Sequence, residues 1–342
     1  MSIVYPTGKI IFGETDSVRK AKDAFSVQAI DETRLCEGAT GYSDRRTTLQ
    51  CSRSVTGSGT FCGKAQRTLE FSPCDDYGWW IERTDLPEQL DVGVSIRNVW
   101  TSARNIVLRS GNPHNYLRMV EHIVALRLGL GIDNVRISTN SGDPPLFDRS
   151  SMDLVEAFDE AGVRELDEPA RYVTVKEPVT FGGDRGDFLT FLPAEPGQKK
   201  LRIDCAIDFN SIVGKQRILF DVTPETFRYG AFARTNATFQ QMMLVRTVGK
   251  LTADMRNLGY TTDNILIHGK KKWYGEPRFV MAEGGKALEP VWHRATLDLL
   301  AAIALIDTGR FVGTVVSYRA GHTIDVRAVT MLYKQGLLEY VK

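Results

Sequence analysis

The chain has 342 residues and a mass of 38.2 kDa, which is long for one compact domain and predicts two domains of about 150 residues each. Hydrophobic residues make up 42% and charged residues 25%, so the chain can bury sizeable cores and does not have the composition of a disordered protein. Its 43 basic and 42 acidic residues leave a net charge of +1. This balance excludes a bulk attraction for polyanions, and we expect no nucleic-acid partner.

The sequence carries no sign of a targeting or membrane-spanning segment. The N-terminal residues lack a basic stretch followed by an apolar one, and the longest apolar run, 299–306, is far shorter than the ~20 residues that cross a bilayer. The five cysteines include no CxxC pair, so we expect free thiols in a reducing compartment. These observations predict a cytoplasmic protein with no transmembrane segment.

The first half of the chain alternates strand and helix patterns after a polar start. Residues 1–45 are weakly periodic and predict an N-terminal extension that packs on, or trails from, the first domain. Further on, the patterns predict strands at 47–61, 65–73, 77–86 and 134–139, and helices at 115–130 and 151–162. We therefore place the first domain at 46–167.

A proline-containing joint at 167–169 precedes a second block, which we expect to be a domain spanning 168–342. In chain order the patterns there predict strands at 167–181, 202–210 and 217–223, mainly helical segments at 223–239 and 251–259, a strand at 264–269, a long apolar helix at 291–306, a strand that runs into a loop at 313–326 and a short helix near 329–335. Each half holds strands and about two helices. The sequence thus predicts an α+β fold of two similar α/β sandwich domains.

Three places in the chain combine histidine with carboxylate. Glu121 and His122 are adjacent in the first predicted helix, His293 precedes Asp298 by five residues in the long helix, and His322 follows a predicted strand. Neutral imidazole and carboxylate suit Zn²⁺, whose catalytic sites take three protein ligands and a water molecule. A further carboxylate can accept a proton from that water, and a free histidine can protonate a leaving amine. Spacing alone does not bring these three distant places together.

Residues 120–137, VEHIVALRLGLGIDNVRI, resemble the segment VEH-x-x-AL-x-GLGIDN-x-x-I of the zinc-dependent UDP-3-O-acyl-N-acetylglucosamine deacetylases of lipid A biosynthesis. Other segments resemble that family in the same order along about residues 47–334, namely GSGTFCGK, ERTDL, PPLFDRSS, AFDEAG, YVTVKEPV, DVTPETF, RTVGKL and VVSYRAGH. Only about the first 45 residues lie outside the resemblance.

The resemblance implies a fold in which each domain sets a small β-sheet against paired helices, with a metal site where the domains meet. It implies Zn²⁺ as cofactor, with His122, His293 and Asp298 as its ligands, Glu121 as the base that activates water, and His322 as the acid that helps the amine to leave. The implied reaction is hydrolysis of the acetamide of an acylated UDP-amino-sugar or a related N-acyl small molecule.

The resemblance also implies roles for residues around the substrate. Thr247 is the best match to the threonine that contacts the oxyanion, and Thr235 is an alternative. Lys176 and Arg294 are candidate contacts to phosphate or to other parts of the substrate.

One departure concerns the spacing of the ligands in the long helix. The family has His-x-x-x-Asp, which places both side chains on one helical face, whereas His293 and Asp298 are five residues apart. Two solutions are open: a π-bulge, or a helix that begins only after His293, which Pro290 favours as a residue of first helical turns. Glu289, four residues before His293, is a possible substitute ligand.

Other departures affect the surroundings of the site. Ala302 stands where the family has an aspartate that orients the catalytic histidine, so His322 lacks that carboxylate. The family's turn histidine is replaced near residues 60–62, and Arg149 replaces a glycine.

These departures leave three hypotheses open. The chain is a zinc-dependent deacetylase of the family type, a catalytically impaired member that acts as a binding or regulatory protein, or an active hydrolase whose altered turn at 57–64 and Arg149 recognise a different ligand.

Overall fold

The computed structural model describes residues 3–61, 65–247 and 261–341. Its strands are β1 Lys9–Phe12, β2 Glu32–Arg34, β3 Arg45–Leu49, β4 Arg53–Ser58, β5 Gln66–Ser72, β6 Trp79–Arg83, β7 Val92–Gly93, β8 Val99–Thr101, β9 Val107–Arg109, β10 Tyr116–Leu117, β11 Val135–Thr139, β12 Val163–Pro169, β13 Tyr172–Val175, β14 Val179–Gly182, β15 Phe188–Leu192, β16 Leu201–Phe209, β17 Gly214–Asp221, β18 Thr235–Thr238, β19 Ile265–His268, β20 Arg310–Phe311, β21 Gly313–Tyr318 and β22 Leu338–Tyr340.

The helices are α1 Thr15–Ser26, α2 Glu121–Gly129, α3 Met152–Ala161, α4 Pro224–Gly230, α5 Phe239–Arg246, α6 Glu289–His293, α7 Leu300–Ala304 and α8 His322–Lys334. A 3₁₀ turn covers Ile96–Asn98, and a π-helical segment, Arg294–Leu299, joins α6 to α7. No helix among the described residues is both long and apolar enough to span a bilayer.

Local sequence signals explain several helix ends. At the start of α4 the Thr223 hydroxyl accepts from the Thr226 backbone N–H, the Thr226 side chain accepts from the Thr223 N–H, and a proline stands in the first turn. Thr238 and Gln241 form the same reciprocal cap at the start of α5. Gly162, with φ of +68°, follows the last turn of α3, where its backbone conformation favours glycine.

Two larger sheets organise the chain into the predicted α+β fold. The five-stranded sheet has the order β4-β5-β11-β6-β7, with β11 parallel to β6 and antiparallel to β5. The ring of Phe158 on α3 packs on this sheet, with ring centroids 4.8 Å from Phe71 and 5.7 Å from Trp79. The seven-stranded sheet has the order β1-β14-β15-β21-β16-β17-β2. The mixture of sheets and helices confirms the fold class, whereas the domain boundary, which falls within β12, stays a prediction.

The N-terminal residues, which we expected to pack on or trail from the first domain, also join a sheet of the second block. They supply both edge strands of the seven-stranded sheet, because β1 pairs in parallel with β14 and β2 pairs in parallel with β17. Between them α1 buries Phe25 against Phe188 and Tyr318. The two edge strands were not predicted because this segment is too polar to show its few buried positions as a pattern.

A buried ion pair fixes α1 to the sheet. Arg217 on β17 and Asp204 on β16 are almost fully buried and are joined through Nη2 and Oδ2 at 2.8 Å. Arg217 Nη1 also donates to the backbone carbonyls of Phe25 and Gln28 at the end of α1, and the Tyr5 hydroxyl donates to Asp204 at 2.9 Å. Residues from the extension therefore satisfy polar groups that the sheet buries.

The helices that matter most for function lie against each other. The side chains of α2 are almost all buried, and α2 packs against α7 and the π-helical segment. Buried Arg127 on α2 donates through Nη1 to the Ala304 carbonyl at the end of α7, at 2.8 Å. This bond caps a carbonyl that the end of the helix leaves without a partner in the helix.

The observed elements correct several predicted bounds. The helix expected over 115–130 begins only at Glu121, because β10 pairs with β9 just before it. Of the helix expected at 223–239 only α4 is helical, and β18 occupies the end of that range. The closing helix is longer than expected, as α8 begins at His322. The helix predicted at 251–259 lies outside the described residues.

Candidate metal and catalytic site

Glu121 and His122 lie in the first turn of α2. Buried Glu121 accepts a hydrogen bond through Oε1 from the backbone N–H of Ile106, which fixes its carboxylate. Burial raises the pKa of Glu121 above its ordinary value, although the nearby His322 acts in the opposite direction. The position at a helix N-terminus and the bond from Ile106 stabilise the ionised form.

His122 points to a different set of partners. Its Nδ1 lies 3.3 Å from the hydroxyl of Ser151, and that hydroxyl donates to the His122 carbonyl. The hydroxyl oxygen is therefore available to accept from Nδ1–H, which leaves the Nε2 lone pair free. Burial, followed by the charge of His293, lowers the pKa of His122 to about 3. The imidazole is thus neutral at physiological pH, as metal coordination requires.

The second part of the site comes from the helix formed by α6, the π-helical segment and α7. His293 is the last residue of α6, and Asp298 lies within the π-helical segment. Backbone hydrogen bonds of a π-turn link residues five apart, so side chains at i and i+5 share a face. The His293 Nδ1 and Asp298 Oδ2 atoms are accordingly 3.6 Å apart. Of the two solutions left open by the sequence, the π-bulge is the one found, and the helix begins before His293.

A threonine joins the two histidine-bearing helices. The Thr235 hydroxyl on β18 lies 2.9 Å from His293 Nε2 and 3.3 Å from His122 Nε2, and the two imidazole rings are 5.4 Å apart between centroids. Two ring nitrogens therefore converge on one oxygen atom. This places Thr235, the alternative in the sequence analysis, beside the histidines.

His322 completes the cluster from the first turn of α8. Its Nε2 is 3.6 Å from Asp298 Oδ1 and 3.7 Å from Glu121 Oε1, so the imidazole lies between two carboxylates. Burial alone lowers the pKa of His322, but the charges of Asp298, Glu121 and Asp325 outweigh it and raise the pKa. The pKa of Asp298 is held well below its usual range, because the neighbouring His293 and His322 outweigh the effect of burial.

The other predicted residues are placed less centrally. Thr247 follows the last turn of α5, where its hydroxyl donates to the Met243 carbonyl at 2.7 Å. Because that hydroxyl is bonded to its own helix, the structure does not bring Thr247 to the cluster, and the choice between Thr247 and Thr235 as the oxyanion contact stays a prediction. Lys176 is exposed and donates to the Gly336 carbonyl at 2.7 Å. The substrate role of Lys176 stays a prediction.

Arg294 is adjacent to His293 but points away from it. Its buried guanidinium pairs with Asp325 on α8, with Nη2 and Oδ1 2.7 Å apart, and its Nε donates to the Ala320 carbonyl. Arg294 also lines a cleft that reaches Asp298 and His322. A substrate contact through Arg294 stays a prediction, and much of its donor capacity is used within the protein.

Two residues considered from the sequence have other roles. Glu289, the possible substitute ligand, is fully buried and pairs with Arg234, with Oε1 and Nε 2.7 Å apart. Arg149 pairs with Glu156 and Asp153 on the exposed side of α3. Neither side chain belongs to the cluster around His122. Of the altered turn, residues 62–64 lie outside the described residues.

Two cavities meet at this cluster. The first, of about 560 Å³, contains Glu121, His122, His293 and Thr235. Its apolar lining consists of Phe61, Met119, Ala237, Met242, Leu244, Val245 and Ile265. The second, of about 680 Å³, carries the cationic residues Arg185, Arg294, Arg319 and Arg327 beside several aspartates. Asn236, Asp298 and His322 line both cavities, so an apolar and a charged space open onto the same carboxylate and imidazole.

The donor set suits a zinc ion in chemical type. Two imidazoles and one carboxylate, with an additional carboxylate beside them, are typical of catalytic zinc sites. Across 3–61, 65–247 and 261–341, however, no three His, Cys, Asp or Glu side chains are close enough together to form a metal centre. The convergence of two histidine nitrogens on the Thr235 hydroxyl marks where donors come nearest to each other. The side chains present therefore fit a zinc ion in their chemical type, and they lie near one another.

Comparison with known proteins agrees with this assembly of histidines and carboxylates. A family model described as UDP-3-O-acyl N-acetylglycosamine deacetylase matches residues 46–334. Proteins named UDP-3-O-acyl-N-acetylglucosamine deacetylase from Brucella melitensis biotype 2 and from Brucella ovis are 28% identical to the chain over 285 residues, which cover 82% of this chain and 93% of theirs. The chain therefore belongs to the UDP-3-O-acyl N-acetylglycosamine deacetylase family, as the sequence motifs predicted.

Some features of the site were not found from the sequence. The cavity residues Asn236, Arg185, Arg319 and Arg327 carry no spacing pattern, although Arg319 stands three residues before His322. Asp325 is three residues after His322, and this helical spacing was the available signal.

Proposed function

We propose that the protein is a zinc-dependent amidohydrolase that removes the acetyl group from the amino-sugar of an acylated UDP-sugar. The observation that carries the proposal is the gathering of Glu121, His122, His293, Asp298 and His322 where an apolar and an arginine-lined cavity meet. Membership of the deacetylase family supports the same reaction class.

The chain's own residues have separable roles in this reaction. His122, His293 and Asp298 would hold the zinc ion, which, when bound, acts as a Lewis acid and activates water. Glu121 accepts the proton of the attacking water, because its fixed and buried carboxylate is more basic than an ordinary glutamate. His322 donates a proton to the departing amine, and the neighbouring carboxylates raise its pKa and so favour its protonated form.

The hydroxyl of Thr235 is the candidate donor to the developing oxyanion. It already lies within hydrogen-bonding distance of both metal-ligand histidines, and it lines the apolar cavity. A donor fixed at that point stabilises charge as it forms on the carbonyl oxygen.

The two cavities match the two ends of the proposed substrate. An acyl chain gains free energy by leaving water for the apolar cavity, whereas a diphosphate pairs with guanidinium groups in the charged one. Because both cavities reach Asp298 and His322, a sugar that connects acyl chain and diphosphate would lie at the reacting groups.

A catalytically impaired binding protein is the alternative, and one observation favours it. Ala302 is fully buried and brings no carboxylate towards His322, so the acid of the reaction lacks the partner that the family supplies there. Such a protein would keep the metal and the substrate without turnover.

The test compares two adjacent residues. We expect one zinc ion per chain in the wild type by elemental analysis and release of acetate from acylated UDP-N-acetylglucosamine. His122→Ala should lose both metal and activity. Glu121→Gln should keep the metal and lose about 10²–10⁴-fold in kcat, the usual contribution of a general base. A wild type that binds zinc and substrate without turnover supports the catalytically impaired alternative, and wild-type activity in either variant contradicts the mechanism.

A further inference from the structure

The first turn of α8 carries a buried carboxylate, Asp325, in addition to His322. His322 and Asp325 are three residues apart, and the Asp325 backbone N–H donates to the Gly321 carbonyl at 3.1 Å, so both side chains belong to one regular turn. Residues three apart on a helix are neighbours on its surface. Asp325 is fully buried, although a carboxylate is rarely buried without a partner.

Arg294, the partner of Asp325, donates to only one of its two carboxylate oxygens. Arg294 Nη2 donates to Oδ1, whereas Oδ2 is buried and has no hydrogen-bond partner among the described residues. His322 Nδ1, in the same turn, is likewise buried and unpartnered within the described part of the chain. An acceptor and a ring nitrogen that can donate are therefore both left without a partner among the described residues within one turn of α8, although buried polar groups usually have one.

The opposite side of His322 already has its partners. The Nε2 atom faces Glu121 and Asp298, towards the cavities. A proton held on Nδ1 would fix which nitrogen faces the substrate, as a carboxylate does for the imidazole of other acid–base catalysts. Ala302 cannot do this, since its methyl group is buried in the core and carries no acceptor.

We propose that Asp325 is the positioning residue of His322, with Oδ2 accepting from Nδ1–H while Arg294 holds Oδ1. The proposal rests on the proposed function for the role of His322, but the proposed hydrogen bond between Asp325 and His322 does not. It means that a carboxylate from the helix of the histidine replaces one expected from α7. The absence of a carboxylate at Ala302 then no longer favours the hypothesis of a catalytically impaired binding protein.

The kinetic test removes the carboxylate at constant shape. Asp325→Asn in the zinc-loaded enzyme should lower kcat on acylated UDP-N-acetylglucosamine by about 10²-fold, within the range of acid–base contributions, with KM and zinc content unchanged. Ala302→Asp in that background should recover much of the loss by presenting a carboxylate from α7. Ala302→Asn is the matched control, which adds the same volume without charge and should recover nothing.

A second variant controls for the possibility that Asp325→Asn fails to fold. The Asp325→Asn change would leave Arg294 buried without its counter-ion, which destabilises proteins, whereas replacing both members of a buried pair by apolar residues is often tolerated. The double variant R294L/D325L should show the same loss of kcat and the same recovery by Ala302→Asp. Wild-type kcat in a folded Asp325→Asn or in the double variant overturns the proposal.

A readout that needs no turnover separates this proposal from the proposed function. Long-range ¹H–¹⁵N spectra of the imidazole rings, with His322 assigned by comparison with His322→Gln, report which ring nitrogen carries the proton. We expect Nδ1 to be protonated in the wild type, and less so in Asp325→Asn at the same pH. If the wild type is inactive but the two proteins differ in Nδ1 protonation as expected, the deacetylase function is refuted and the hydrogen bond from His322 to Asp325 is supported. An active enzyme with identical spectra in both proteins refutes the hydrogen bond alone.

Discussion

Helix α2 and the helix formed by α6, the π-helical segment and α7 each bring two polar side chains to the cluster, but in opposite ways. On α2 the two residues are adjacent and therefore diverge, so that Glu121 faces Ile106 and His322 while His122 faces Ser151 and Thr235. On the interrupted helix His293 and Asp298 are five residues apart and nevertheless share a face. The comparison teaches that the local hydrogen-bond pattern, and not the spacing in sequence alone, decides where side chains point.

The π-helical segment Arg294–Leu299 needs space on the neighbouring helix α4. A Cβ atom at Gly230 would lie 2.2 Å from the Thr296 Oγ1 atom and 2.8 Å from its Cβ, so only glycine fits there. Thr296 is fully buried within the π-helical segment, and its hydroxyl has no partner among the described residues. Gly230 on α4 thus leaves room for the π-turn, and the buried Thr296 hydroxyl without a partner lowers the stability of this arrangement.

The largest effects are expected from single-residue deletions on the two sides of Asp298. Deleting Ala295 converts the π-turn to a regular turn with His-x-x-x-Asp spacing, so the proposed ligands His293 and Asp298 stay on one face. Zinc affinity should then stay within about tenfold of wild type, the lower end of what changes around ligands cost. Deleting Ala301 rotates the buried residues of α7 by about 100° relative to their neighbours and should abolish folding.

Ala295 and Ala301 are matched controls for each other, since both are fully buried alanines of the same helix. Circular dichroism and zinc titration of the purified proteins measure the outcome. A folded Ala301 deletion that binds zinc as well as the Ala295 deletion would contradict the view that only the π-turn can absorb a change in length.

A smaller effect is expected from filling the space beside the bulge. Gly230→Ala places a methyl group against Thr296 and should lower the free energy of unfolding by about 1–3 kcal/mol, as overpacking of a core usually does. Gly38→Ala is the control, because a Cβ atom there has nothing within 4 Å. Chemical denaturation of both variants compares them, and equal stability would show that α4 does not hold the π-helical segment.

Much of the site could be predicted from sequence because its residues are carried by a specific motif. The run around Glu121 and His122 identified one half, and order along the chain placed His293, Asp298 and His322. The choice between a π-bulge and a late helix start was not predictable, since both satisfy the five-residue spacing. The space that decides it comes from Gly230, which is distant in sequence.

The position of Thr235, rather than Thr247, beside the histidines was not predicted for a related reason. Both threonines stand in segments similar to the family, but only β18, paired in parallel with β19, places its first residue beside the histidines. The role of the N-terminal residues was missed because parallel pairing at both edges of one sheet is a long-range property. No periodicity in 1–45 shows that β1 and β2 meet β14 and β17.

The smallest effect concerns how the N-terminal residues, which lie outside the family match, hold the two helices. Glu32 on β2 accepts at 2.8 Å from the buried indole of Trp292, next to His293, and the Tyr42 hydroxyl donates at 3.0 Å to the Gly129 carbonyl at the end of α2. Tyr42→Phe removes only the second bond and should lower the free energy of unfolding by about 0.5–1.5 kcal/mol, the net worth of one hydrogen bond.

Zinc affinity in Tyr42→Phe should stay unchanged, because the far end of α2 is affected while its first turn, with Glu121 and His122, keeps its own contacts. Glu32→Ala is the comparison on the other helix: it leaves the Trp292 N–H without an acceptor directly beside the proposed ligand His293, and it should weaken zinc binding as well as stability. Parallel zinc titrations measure the difference. Equal affinities in both variants would mean that the interrupted helix is no more dependent on the N-terminal residues than α2 is.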